Sequence, residues 1–151
     1  MSTFASKWPV LQEHRVTAGD ADGDGVLRDD RVEQWIAAVV SAYLDECRLV
    51  QQTADDGALD IVRTNNGVPT GAALGRPDTV VISAGATEIY PTSFTVGLRI
   101  RAFGRDSEGD GLANATVVVQ LVDRESGEPH PLGDDIRDEL IALQHAARHA
   151  N

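Results

Sequence analysis

Residues 16–47 read VTAGDADGDGVLRDDRVEQWIAAVVSAYLDEC. Residues 19–25 of this stretch form an acidic loop in which aspartates are separated by glycines and one alanine. The residues that follow place apolar side chains at the spacing of one helical face, and they are Val32, Trp35, Ile36, Val39, Val40, Tyr43, Leu44 and Cys47. Few charges interrupt Val32–Leu44, so we expect this helix to be covered on most of its sides by other elements.

A helix-capping pattern stands at the start of this helix. Asp30 precedes the apolar residues, and Glu33 follows it three residues later, which is an Asp-led version of the capping box. The pattern predicts Asp30 as the N-cap and Glu33 as its reciprocal partner.

The second half of the chain supplies strands that can cover the helix. Residues 79–90 and residues 114–123 are two apolar runs rich in β-branched side chains, and residues 93–103 lie between them. Residues 93–103 alternate, so Val96, Leu98, Ile100 and Ala102 share one face and Gly97, Arg99, Arg101 and Phe103 share the other. Pro91 and Thr92 form the turn between the first two strands.

Weaker patterns complete the order of elements. Residues 10–17 alternate well enough to predict a first strand, and residues 58–63 fit either a short helix or a strand. Asp135 is placed to cap a short C-terminal helix. We therefore predict one α+β domain over residues 1–151, with a flexible arm at 1–9 and a long connecting segment at 51–78.

Composition limits the classes of partner. The 151 residues carry a net charge of −11, and such a surface repels polyanions, so we expect no nucleic-acid partner. The one cysteine falls on the buried face of the predicted helix, and no apolar run is long enough for a signal peptide or a membrane span. These features predict a cytoplasmic protein that has no membrane partner.

Together these residues resemble the hotdog-fold acyl-CoA thioesterases, in particular the hydroxybenzoyl-CoA thioesterase type. The likeness includes the Gly-Asp-x-Asp-x-x-Gly loop at 19–25 before a long helix, the run 86–91, the run 98–107, and the closing run 122–132. The resemblance implies a curled antiparallel sheet wrapped around one long central helix. It also implies an acyl-CoA-type substrate and a homodimer or homotetramer with its site at the subunit interface. The sequence contains no phosphate loop, zinc-ligand spacing or dinucleotide fingerprint, so we expect no cofactor.

The resemblance also implies where catalysis takes place. Asp22 stands at the position of the family's catalytic aspartate, and the amides of Asp24 and Gly25 are then the expected oxyanion donors. Glu33 is the alternative carboxylate, because other branches of the fold use a glutamate on this helix. Glu33 can also be interpreted as a helix-capping residue. Asp22 can also be interpreted as a turn-forming aspartate.

Coenzyme A carries several negative charges, so a protein with this net charge must concentrate cations where it binds. Arg99, Arg101 and Arg105 are the candidate substrate-binding residues, and their alternative interpretation is the solvated face of a strand.

Two other functions remain open. Where many family members carry a histidine and two asparagines after the loop glycine, this chain has Val26, Arg28 and Asp29, which favours a non-catalytic hotdog protein that binds acyl-CoA or a related ligand. The loop also resembles a degenerate calcium loop, with Asp20, Asp22 and Asp24 at its first, third and fifth positions. Arg31 occupies the position of the bidentate glutamate, so we predict no dedicated metal site.

Overall fold

The computed structural model describes residues 8–104 and 111–148. Its strands are β1 (Val10–Arg15), β2 (Leu59–Asn66), β3 (Thr79–Ile89), β4 (Ser93–Phe103) and β5 (Gly111–Asp123). Its helices are α1 (Asp29–Glu46), α2 (Arg48–Gly57), α3 (Gly71–Leu74) and α4 (Gly133–Arg148), with a 3-10 turn at Ala18–Asp20. The strands form one antiparallel sheet in the order β1-β3-β4-β5-β2. The predicted α+β architecture, an antiparallel sheet around one long helix followed by a C-terminal helix, is confirmed.

The core lies between α1 and one face of this sheet. Seven of the eight apolar residues that predicted the helix are buried, and Trp35 is partly buried against them. On β4, Val96, Leu98, Ile100 and Ala102 are at most 2% exposed, whereas Arg99, Arg101 and Phe103 on the other face are only half-buried. The alternation therefore assigned both faces of β4 correctly. Hydrophobic burial of this kind contributes about 25 cal/mol per Å² and is the main force that holds α1 against the sheet.

The structure decides the interpretation of residues 58–63 in favour of a strand. Residues 59–63 belong to β2, which pairs with β5 along its whole length from Leu59–Asp123 to Asn66–Thr116, and Ala58 is the C-cap residue at which α2 ends. The segment 51–78, predicted as a long connection, contains most of α2, all of β2 and the short helix α3. The sheet thus reaches five strands without any further hairpin.

The predicted helix caps are wrong in both cases. Arg28, not Asp30, is the N-cap residue of α1, and no side chain caps that end, so Glu33 forms no capping box. Helix α4 begins at Gly133, which places Asp135 inside the first turn. Acidic residues in a first turn still interact favourably with the helix dipole, which accounts for the sequence signal.

Candidate active site

The acidic loop is closed at its base by Asp20, which is buried. Its carboxylate accepts hydrogen bonds from the amide and the hydroxyl of Thr17, both at 2.9 Å, and lies 3.4 Å from Nε of Arg31. The hydrogen bond from the Thr17 amide is the main reason that the pKa of Asp20 lies below its usual value. The carbonyl oxygen of Asp20 also accepts a 3.0 Å hydrogen bond from the amide of Arg28, which ties the end of the loop back to its start.

Beneath the loop, the ring of His14 stacks on Trp35, with centroids 5.1 Å apart and planes 14° from parallel. Burial lowers the pKa of His14, and the charge of Asp20 partly opposes that effect. The neutral imidazole therefore acts as a packing group between β1 and α1 near neutral pH.

Asp22 has one carboxylate oxygen fixed and the other available. Its Oδ1 accepts hydrogen bonds from the amides of Asp24, at 2.8 Å, and Val26, at 3.1 Å. Within the described ranges, Oδ2 takes part in no hydrogen bond or ion pair, and the residue is exposed. The hydrogen bonds are those of a turn-forming aspartate, and they also hold the free oxygen in a defined direction.

The two amides predicted as oxyanion donors are both occupied within the loop. The Asp24 amide donates to the Asp22 carboxylate, and the Gly25 amide donates to the Asp22 carbonyl oxygen at 3.0 Å. Gly25 adopts a positive φ of 82°, which suits glycine and closes this tight turn. In this conformation, neither amide is free to bind a substrate oxygen.

Glu33 lies on the exposed side of α1, one turn after the helix begins. Its neighbours on that side include Asp30 and Ala37, which are also exposed. Both predicted carboxylates, Asp22 and Glu33, therefore lie around the N-terminal end of α1 and are accessible.

The two predicted substrate-binding arginines that the structure describes, Arg99 and Arg101, are not placed together with these carboxylates. Arg99 and Arg101 lie on the face of β4 that points away from α1, and Arg101 stacks over Phe103, 5.4 Å from the ring centroid. Arg105 lies outside the described residues. Arg99 and Arg101 therefore lie on the opposite face of the sheet from α1, the helix that carries Glu33.

Helix α3 forms a wall beside the loop and was not predicted from the sequence, although Thr70, whose hydroxyl accepts from the Ala73 amide at 3.1 Å, is a typical N-cap residue. The Gly71 amide donates a 2.7 Å hydrogen bond to Oδ1 of Asp29, and the Leu27 amide donates to the Gly75 carbonyl oxygen at 3.4 Å. A Cβ on Gly71 would lie 1.8 Å from the Leu27 carbonyl oxygen, so the two backbones are in direct contact. Asp29, one of the positions where the chain departs from the thioesterase pattern, thus fixes α3 against the start of α1.

The calcium interpretation of the loop is not supported. Asp20 faces Thr17 and Arg31, and Oδ1 of Asp22 already accepts two amides. Across residues 8–104 and 111–148, no group of three or more histidine, cysteine, aspartate or glutamate side chains is arranged to hold a metal ion.

This arrangement of sheet and helix was compared with those of known proteins. No protein-family model matches the chain. No curated protein matches it either. Solved structures do: 4-hydroxybenzoyl-CoA thioesterase from Pseudomonas sp. strain CBS-3 is 17% identical, with a TM-score of 0.62 over 86% of this chain and 97% of that one.

Two further structures are similar to the same extent. A 1,4-dihydroxy-2-naphthoyl-CoA thioesterase from Synechocystis is 19% identical, with a TM-score of 0.61 over 89% of this chain and 97% of that one. A thioesterase from Thermus thermophilus, in complex with coenzyme A and zinc, is 19% identical, with a TM-score of 0.57 over 92% of this chain and 97% of that one. The chain therefore has the hotdog fold, as its sequence predicted.

Among the described residues, no helix combines the length and the apolar character needed to cross a bilayer.

Proposed function

We propose that the protein hydrolyses an acyl-CoA thioester and that Asp22 is the catalytic carboxylate. The observation that carries this proposal is the free, directed Oδ2 of Asp22 at the N-terminal end of the central helix of a hotdog fold. Solved thioesterases of the same fold, among them enzymes named for aryl-CoA substrates, support it.

Two chemical routes are open to this carboxylate. As a nucleophile, Oδ2 of Asp22 bonds to the thioester carbonyl carbon, the carbon–sulfur bond breaks, and the CoA thiolate leaves; water then hydrolyses the acyl-aspartate. As a general base, the carboxylate takes a proton from the water that attacks the same carbon. Both routes yield a carboxylic acid and free CoA.

Either route needs hydrogen-bond donors for the developing oxyanion. The amides of Asp24 and Gly25 become donors only if the loop releases them from Asp22. The first-turn amides of α1, at Asp29 and Asp30, precede the intrahelical ladder and lie at the positive end of the helix dipole. We infer that these amides take over the role predicted for Asp24 and Gly25.

A non-catalytic protein that binds acyl-CoA is the second candidate. Both loop amides and the Asp29 carboxylate already form hydrogen bonds within the protein. A hydrolase would use these groups, so their engagement favours the non-catalytic protein.

Hydrolysis of a panel of acyl-CoAs separates the two candidates. The panel contains one short-chain, one long-chain and one aryl thioester, and the released thiol is followed with a trapping dye. We expect turnover well above the uncatalysed rate on at least one substrate. Binding of CoA without turnover on any member would instead establish the non-catalytic protein.

We further propose a cytoplasmic homodimer or homotetramer. Strand β2 is an edge strand whose last five residues, 62–66, are all exposed, and an open edge of this length is normally covered. The exposed Ala37 and Ala38 of α1 would extend the contact. Light scattering should give two or four times the chain mass of 16.1 kDa, and a monomer at micromolar concentration would contradict the proposal.

A further inference from the structure

The loop beside Asp22 leaves the candidate site short of donors for an oxyanion. The amides of Asp24 and Gly25 both donate to Asp22, and the first-turn amides of α1 carry only the partial positive charge of a helix dipole. A negative charge that develops beside an acidic loop is also repelled by the carboxylates of that loop. A cation at the same place opposes the repulsion, and charge-assisted hydrogen bonds are about twice as strong as neutral ones.

Three arginines border the acidic loop, and two of them already have acidic partners. Arg28 donates to the carboxylate of Asp30 at 2.7 Å. Arg31 lies 3.4 Å from the carboxylate of Asp20. Arg76 differs, because it has no hydrogen bond or ion pair with any residue that the structure describes. Its guanidinium is therefore the uncommitted cation of this set.

The side chain of Arg76 lies directly on the turn that holds Asp22. A Cβ built on Gly25 would be 3.8 Å from Cδ and 3.9 Å from Nε of Arg76, which is van der Waals contact. The preceding Gly75 accepts the 3.4 Å hydrogen bond from the Leu27 amide, so Arg76 also lies next to the segment that leads into α1. Arg76 is exposed, so its guanidinium reaches the solvent from which a substrate approaches.

The backbone that carries Arg76 is held in place by its neighbours. The following Pro77 is buried, and a Cβ on Gly104 would lie 3.0 Å from Cα of Pro77 and 3.1 Å from the Arg76 carbonyl oxygen. The amide of Asp78 donates to the carbonyl oxygen of Phe103 at 2.7 Å. A guanidinium on a fixed backbone is a preorganised donor, and preorganised donors contribute most to the stabilisation of a developing charge.

The part of an acyl-CoA that must come to Asp22 is the thioester carbonyl. The phosphates of CoA lie at the far end of the pantetheine arm, so a cation in contact with the Gly25 turn meets the carbonyl oxygen and not a phosphate. That oxygen is neutral in the substrate and negative in the tetrahedral intermediate. A cation beside it therefore stabilises the transition state more than the ground state.

We propose that Arg76 is a catalytic residue that donates a charged hydrogen bond to the thioester oxygen as negative charge develops there. The inference rests on the hydrolase proposed above. Oδ2 of Asp22, or a water molecule whose proton Asp22 takes, bonds to the carbonyl carbon, and an electron pair of the C=O bond moves to the oxygen that Arg76 holds. The C=O bond then re-forms, the carbon–sulfur bond breaks, and the thiolate leaves with its electron pair.

The kinetic test compares wild type with Arg76→Ala on the best acyl-CoA of the panel and on the N-acetylcysteamine thioester of the same acyl group, which has no phosphate. We expect kcat to fall about a hundredfold on both thioesters, the range for one lost oxyanion donor. KM should stay within about twofold, because the contact forms only as the negative charge develops. Arg76→Lys keeps the charge without the planar fork, so its kcat should lie between those of wild type and Arg76→Ala.

Added methylguanidinium separates a catalytic role of Arg76 from a structural one. In Arg76→Ala the ion can occupy the place of the missing side chain, so millimolar methylguanidinium should restore part of kcat. Wild type should not respond. Circular dichroism and the urea midpoint of Arg76→Ala should equal those of wild type, since the described residues give Arg76 no polar contact to lose.

Arg48→Ala is the matched control, since Arg48 is an exposed residue at the start of α2 and its removal changes the net charge equally. It should leave kcat and KM at their wild-type values on both thioesters. An equal loss of kcat in Arg48→Ala would mean that only the net charge matters, and it would overturn the role of Arg76.

A third thioester, with a carboxylate on its acyl group, completes the test. A loss confined to this substrate would make Arg76 a selector of the acyl group, and an unchanged kcat or a rise in KM alone would show that the guanidinium does not meet the developing charge. A lost kcat with a lower urea midpoint and no rescue would mean that Arg76 only stabilises the loop. Each of these results overturns the role of Arg76 while wild-type turnover upholds the hydrolase. If wild type hydrolyses no thioester, the hydrolase proposal fails and the catalytic role of Arg76 is overturned with it.

Discussion

Asp22→Asn should lower kcat for the best acyl-CoA of the panel by about a thousandfold, the range of a lost catalytic base or nucleophile. Asparagine keeps an oxygen at the Oδ1 position, so it can still accept the amides of Asp24 and Val26 that shape the loop. The substitution removes only the charge and the basic oxygen that face solvent. The loss should therefore appear in kcat, while circular dichroism and the urea midpoint stay at their wild-type values.

The control for this substitution is Asp56→Asn, an identical change at an exposed position of α2. It should leave kcat unchanged. A protein in which Asp22→Asn keeps its wild-type kcat would refute Asp22 as the catalytic carboxylate.

Glu33→Gln is the direct comparison, because Glu33 is the other carboxylate predicted from the sequence. It is exposed and caps no helix end, so its replacement should not destabilise the fold. If Asp22 is catalytic, Glu33→Gln retains most of the activity. A thousandfold loss in Glu33→Gln, with Asp22→Asn active, would assign the chemistry to Glu33.

The elements with many buried residues were predictable from the sequence alone. Helix α1 and strand β4 each place one apolar face on the core, so their periods of 3.6 and 2 are visible in the chain. Helix α2 was missed because only Val50 and Ala54 are buried in it, four residues apart, which is too little to show a period. Its end is also unusual, since Ala58 rather than Gly57 adopts the left-handed conformation.

The candidate site was predictable in its chain position but not in its contacts. The aspartates and glycines before α1 marked the loop, whereas the partners that shape it come from elsewhere. Asp29 is held by the Gly71 amide, 42 residues along the chain, and Arg76 reaches Gly25 from beyond α3. The Thr17–Asp20 pair was a local signal that was overlooked, because a threonine three residues before an acidic residue is a capping-box spacing.

Gly71→Ala should destabilise the protein by about 3 kcal/mol, the upper part of the range for overpacking a tight contact. The new methyl carbon would stand 1.8 Å from the carbonyl oxygen and 2.5 Å from the carbonyl carbon of Leu27, and both are backbone atoms that cannot rotate away. Alanine also lowers the entropy of the unfolded chain, but that gain is only about 0.4–1 kcal/mol, so the clash decides the sign. Urea unfolding followed by tryptophan fluorescence measures the change.

The control for this prediction is Gly23→Ala, at a position where an added Cβ meets nothing within 4 Å and φ is not positive. We expect its unfolding free energy to stay within about 1 kcal/mol of wild type, on the stabilising side. Gly71→Ala can avoid the clash only if α3 moves away from the loop, which breaks the hydrogen bonds from Gly71 to Asp29 and from Leu27 to Gly75. Because Leu27 follows the loop that carries Asp22, turnover of Gly71→Ala should fall together with its stability. Wild-type turnover and a wild-type unfolding free energy would show that α3 is not the wall of the site.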